Sequence, residues 1–166
     1  MSAKLFLLFL IHCCFTAAAS PGISEIRELY YRAPFSKESA NKFFEVTNAL
    51  KTEADPLIIC YKGAAEVIQA KYYFNPYHKL SYFSKGKQLI EDAFHKCPSN
   101  IEIRFIRFCV QTNAPFFLGY NKDINEDKTF ILKAWSTIND KDLKERIRSY
   151  MKDCNKCTNN EKAILL

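Results

Sequence analysis

The amino-acid sequence predicts an all-α fold of about seven antiparallel helices stacked as hairpins. Three observations point there. Only 4 of 166 residues are glycine and 6 are proline, too little turn chemistry for a many-stranded β fold. Apolar residues recur at helical spacing through nearly the whole chain after residue 19. The interruptions coincide with capping residues, prolines or both.

Residues 1–19 read as a secretory leader. Lys4 provides a short positive segment, Leu5–Ile11 an apolar one, and Thr16-Ala17-Ala18-Ala19 the small residues that a signal peptidase inspects. Cleavage is expected after Ala19. The apolar run is interrupted at His12 and falls short of the ~20 residues needed to span a bilayer. Residues 20–166 then form one α-helical domain, exported to a periplasmic or extracellular compartment and not membrane-spanning once the leader is removed. The charge of +6 is interspersed with acids rather than blocked. That pattern suits solubility and mild attraction to anionic surfaces, and it excludes a dense nucleic-acid patch.

The elements follow in order. Ser24 caps a helix to Arg32, with Ile23, Ile26 and Tyr30 on one side. Ser36 opens a second, to about Lys51, burying Phe43, Val46 and Leu50. Asp55-Pro56 places a cap before proline at the first helical position and starts a third helix through Tyr73. Asn75-Pro76 stops it, and a fourth helix covers about His78–Lys96. Pro98-Ser99-Asn100 opens a fifth, Ile101–Thr112, apolar on two sides: Ile101, Phe105, Phe108 and Cys109 on one, Ile103, Ile106 and Val110 on the other. A helix this apolar is central. Phe116–Tyr120 is a connector. Glu126–Ile138 and Asp140–Lys152 are helices, and Thr158 with Glu161 forms a capping box for a short last one. The aromatic run Tyr72-Tyr73-Phe74 with Tyr77 is expected to pack a helix–helix corner rather than to form a ligand platform.

In Gly86, Ala93 and Pro98, small residues lie seven apart on one helix face and a proline closes the turn. With Gly63-Ala64-Ala65 on the preceding helix, this resembles a tetratricopeptide-like (TPR-like) helical hairpin, without a second copy to make an array. The segments YKGAAE, KLSYFSKGKQLIEDA, NIEIRFIRF and NAPFFLGYNKDINED, within Tyr61–Asp127, resemble a group of exported helical proteins of the Bacteroidetes type. That resemblance implies export and helicity, and it assigns no activity and no functional residue.

Five cysteines follow the leader, and Cys60 and Cys109 fall within apolar helical stretches, as core residues do. Cys97, before Pro98, is expected at the surface. Cys154 and Cys157 form a C-x-x-C pair. Lacking a neighbouring strand or a second ligand pair, it reads as a local disulfide or two thiols before it reads as a redox or zinc site.

No nucleophile elbow, phosphate loop or H-E-x-x-H helix is present, and only His78 and His95 follow the leader. Asp127, beside Phe130 and Ile131, is a lone acidic candidate. Neither cofactor nor metal is implied. The more informative pattern is two polar stripes on apolar helices. Lys62, Glu66 and Gln69 recur at i, i+4, i+7, and Arg104, Arg107 and Gln111 at i, i+3, i+7. In TPR-like hairpins these stripes would share one concave groove, with Tyr61, Asn113 and Tyr120 near its rim. Such a groove would take a peptide segment or an anionic ligand, since two arginines one turn apart can grip a carboxylate or phosphate. The bland alternative pairs Glu66 with Arg104 or Arg107 internally. The chain is therefore expected to be a non-enzymatic protein- or peptide-binding or assembly module of the cell envelope. An enzyme of unknown reaction, or a thiol-redox accessory using Cys154 and Cys157, is the alternative.

Overall fold

The computed structural model describes residues 21–50 and 55–166. The leader expected over residues 1–19 lies outside them. The described residues are all-α, with eight helices and three short 3₁₀ turns and without strands. The helices are α1 (Ile23–Arg32), α2 (Lys37–Ala49), α3 (Pro56–Ala70), α4 (Pro76–Lys96), α5 (Ile101–Asn113), α6 (Ile124–Ala134), α7 (Lys141–Asp153) and α8 (Asn159–Ala163).

Side-chain caps set most of the helix starts. Ser36, Asp55, Asn75, Asn100, Asp140 and Thr158 each accept a hydrogen bond from an otherwise orphaned backbone N–H of the first turn. Thr158 and Glu161 form the full capping box. α1 differs from expectation, with Gly22 rather than Ser24 at its N-cap, two residues earlier. Asn75-Pro76 differs more. It starts α4, with the Asn75 side chain accepting from the Tyr77 N–H and proline at the first position, as Asp55-Pro56 does for α3. α3 has already ended at Ala70. On α2 the buried face is Ala40, Phe43 and Thr47, while Val46 and Leu50 are half-buried. Thr47 can be buried because its hydroxyl donates to the Phe43 carbonyl at 2.9 Å.

α3 and α4 pack on their smallest residues. Gly63 faces Gly86, and a Cβ added at Gly86 would lie 2.5 Å from the Gly63 carbonyl oxygen. Ala64, Ala65 and Ala93 are wholly buried alongside. Two hydrophobic cores result. One gathers α1 to α4 around Phe43, Tyr61 and Ile90; the other gathers α6, α7 and the C-terminal segment around Ile131, Ile147 and Met151. α5 belongs to both, through Ile103, Ile106 and Val110 on one side and Phe105, Phe108 and Cys109 on the other. All ten residues from Glu102 to Gln111 are buried. Among the described residues, no helix is long and apolar enough to cross a membrane.

Candidate functional site

The polar stripe of α5 is built into the interior. Arg107 is 2 % exposed and meets Asp127 bidentately, with Nε and Nη2 donating at 2.7 and 2.8 Å. Its Nη1 donates to Glu91 at 3.1 Å, and its guanidinium lies 3.5 Å from the centroid of the Phe94 ring. Arg104 donates to the Pro98 carbonyl at 2.6 Å and to Glu126 and Asp127 at 2.9 Å. Gln111 donates to Asp123 at 3.1 Å. Tyr120 is buried and donates to Glu91 at 2.5 Å, so Glu91 joins Arg107 to the connector before α6. Burial pushes the Asp127 carboxyl up, and the Arg107 and Arg104 guanidiniums pull it back. Asp127, a lone candidate in sequence, is thus the hub of a buried ion-pair network.

The α3 stripe lies apart from that hub. Glu66 is wholly buried and pairs with Lys85 of α4 at 2.6 Å, rather than with Arg104 or Arg107. That pair is a charge contact without hydrogen-bond alignment. Gln69 donates to Asn41 at 3.1 Å, and Lys62 is half-buried. Tyr61 is buried and donates to Glu102 at 2.5 Å, in a second internal cluster that sequence reasoning missed. There Arg27 grips Glu102 bidentately at 2.6 and 2.7 Å and also reaches Asp140 at 2.8 Å. The hydrogen bond and charge of Glu102 raise the Arg27 pKa despite burial. Asn113 is exposed and donates to the Cys109 carbonyl and the Tyr150 hydroxyl, at 2.8 and 2.6 Å. The structure therefore joins Arg104, Arg107, Gln111 and Tyr120 through acids of α4, the connector and α6. It leaves Tyr61, Glu66 and Gln69 of α3 with other partners.

The C-x-x-C pair follows α7. Cys154 is half-buried, Cys157 is buried, and the two are unbridged. Cys97 is half-buried rather than exposed. Burial first, then the neighbouring Cys154, pushes the Cys157 thiol up to about 12, opposite to the shift that makes a nucleophilic thiolate. Burial also raises Cys60 and Cys109. With native protein at mildly alkaline pH, iodoacetamide should therefore label Cys154 and Cys97 well before Cys157, Cys60 and Cys109, as read by peptide mass spectrometry. Cys157 reacting as fast as Cys154 would show that its sulfur is not shielded.

The aromatic run after α3 divides in two. Tyr72 donates to the Pro34 carbonyl at 3.0 Å, and Tyr73 stacks on Tyr82 with ring centroids 4.6 Å apart. Phe74 and Tyr77 point outward.

Beside that corner lies the feature the sequence did not announce, a cavity of about 950 Å³. The end of α1 and its 3₁₀ turn, the end of α3, the start of α4, the end of α5 running into the 3₁₀ turn at Phe116–Leu118, and Tyr150 of α7 enclose it. Its walls are mainly apolar and aromatic: Tyr30, Ile68, Leu80, Phe83, Val110 and Leu118. Among the described residues, the charged side chains lining it are Lys71 and Lys79, and no carboxylate does so. Tyr31 also lines it and has a buried hydroxyl without a hydrogen-bond partner. The volume is at the upper end of the ~300–1,000 Å³ typical of small-molecule sites. Five separated segments converge here, so no local motif encodes the cavity. Comparisons with protein-family models, curated proteins and solved structures find no match.

Proposed function

We propose that this chain is an exported, non-enzymatic binding protein whose ligand is an apolar, acyl-chain-like molecule held in the cavity between α1, α3, α4 and α5. The single observation that carries this reading is a large cavity with mainly apolar walls whose charged lining, among the described residues, is lysine. The charged stripes offer less to a peptide or an anion, because Arg104 and Arg107 already donate to Asp127, Glu126 and Glu91. The close α3–α4 approach at Gly63 and Gly86 supports a TPR-like hairpin as the scaffold. The leader-like residues 1–19 support export.

Physical magnitudes narrow the ligand. Burying a methylene is worth about 0.8 kcal/mol, while association costs about 4–15 kcal/mol. A chain of four carbons, at about 3 kcal/mol, falls short of even the lower figure, and one of about ten, at about 8 kcal/mol, clears the lower part of that range. The neutral fluorophore N-phenyl-1-naphthylamine should bind saturably with a rise in emission, and dodecanol should displace it. Ala70 and Ala114 line the cavity without being wholly buried. Ala70→Trp and Ala114→Trp should each fill part of it and weaken binding roughly tenfold, equivalent to about 1.4 kcal/mol. Unchanged affinity in both variants, or no emission rise with the wild type, would overturn the reading.

A further inference from the structure

Eight large hydrophobic side chains are exposed among the described residues, and six of them fall in three short segments: Phe35; Phe74, Tyr77 and Leu80; Phe116 and Phe117. Each segment also contributes a wall to the cavity, through Phe35, through Pro76 and Leu80, and through Phe117. The exposed aromatics therefore ring one opening instead of scattering over the surface. Exposure there is nearly complete: Phe35 is 87 % exposed, Phe74 100 % and Phe116 85 %. Single exposed hydrophobics are ordinary, but a cluster at one mouth marks a contact surface. The helix caps do not require it, since the Asn75 side chain, not Phe74 or Tyr77, satisfies the first turn of α4.

We propose that this mouth docks on an anionic lipid bilayer, with the aromatic ring inserted at headgroup depth and the cavity opening toward the acyl chains. Aromatic side chains favour the membrane interface, and the lysines at the opening match it in charge. Lys71 and Lys79 are exposed there. Lys71 donates one of its three N–H groups to the Pro34 carbonyl at 2.7 Å, which leaves two for other acceptors. A protein partner would demand complementary polar groups of both signs around its rim; here, among the described residues, the charged lining is lysine, Asn113 is the one amide, and the remainder is mainly aromatic or apolar. Contact is peripheral, by side chains projecting from two 3₁₀ turns and the start of α4 rather than by a spanning helix. The arrangement extends the ligand reading by giving an apolar molecule a route in that avoids water, and it is tested separately.

Full-length processed protein is sedimented with vesicles of phosphatidylcholine alone and of phosphatidylcholine containing phosphatidylglycerol. Binding should favour the anionic vesicles and weaken with added salt. The variant Phe74→Ser/Tyr77→Ser/Phe116→Ser removes three exposed aromatics that do not line the cavity. It should lose vesicle binding by roughly tenfold or more, while keeping N-phenyl-1-naphthylamine binding and its helical circular dichroism. Lys71→Gln and Lys79→Gln should each cut the preference for anionic vesicles by roughly fivefold. Three results would overturn the proposal: wild type left in the supernatant, the triple variant pelleting like wild type, or a wild-type dimer that the variant splits with neither form binding vesicles. The last would make the mouth a contact between copies of the chain. Loss of probe binding with vesicle binding intact would instead defeat the ligand reading alone.

Discussion

Asp127→Ala is expected to lower the unfolding free energy by about 3–5 kcal/mol, as removal of one partner from a buried ion pair does. Asp127 is 0 % and Arg107 2 % exposed, so neither side chain is open to solvent. Without the carboxylate, Arg107 keeps one acid, Glu91 at 3.1 Å, and loses the two shortest hydrogen bonds it makes. Arg104 retains Glu126 and the Pro98 carbonyl, so the cost falls mainly on Arg107. Urea denaturation followed by circular dichroism measures the change, with the m-value expected to stay constant. A loss below about 1 kcal/mol, the range of surface pairs, would mean that solvent reaches the cluster.

Gly86→Val should be about as damaging, costing about 3 kcal/mol through overpacking. In an exposed helix, replacing glycine by a residue with a side chain would gain up to about 1 kcal/mol of helix propensity. Packing reverses that sign here. The new Cβ would meet the Gly63 carbonyl oxygen at 2.5 Å, the Val67 side chain at 2.6 Å and the Val67 backbone nitrogen at 2.8 Å. Backbone atoms on both sides cannot rotate aside, so α3 and α4 must separate along their whole contact. A thermal melt reads the outcome, and a transition temperature equal to wild type would show that the pair is not tightly held at this point.

The fold class was legible because it depends on local chemistry. Cap residues such as Asp55, Asn100 and Asp140 act within two or three residues of themselves, and the two-sided apolar pattern of α5 can be counted from its own residues. The same locality misled at Asn75-Pro76. An Asn-Pro pair both ends one segment and opens the next, and only the placement of the Asn75 side chain on the Tyr77 N–H tells which dominates. The polar stripes were visible as spacing, but their surroundings were not. Charged residues at helical intervals resemble a solvated face until their partners are known, and the partners of Arg107 are 16 and 20 residues away. Arg27 and Glu102, separated by 75 residues, left no sequence signal at all. The cavity was the least legible feature, since each wall segment carries residues that any core would use.

Because α5 gives one flank to each hydrophobic core, neither half of the molecule can be withdrawn without stripping the other. A fragment ending at Asn113 would leave Phe105, Phe108 and Cys109 facing water, and one beginning after it would lack the surface on which Ile131, Ile147 and Met151 close. The chain is in that sense indivisible, and the cavity draws on both halves: Tyr150 of α7 lines it as Val110 of α5 does.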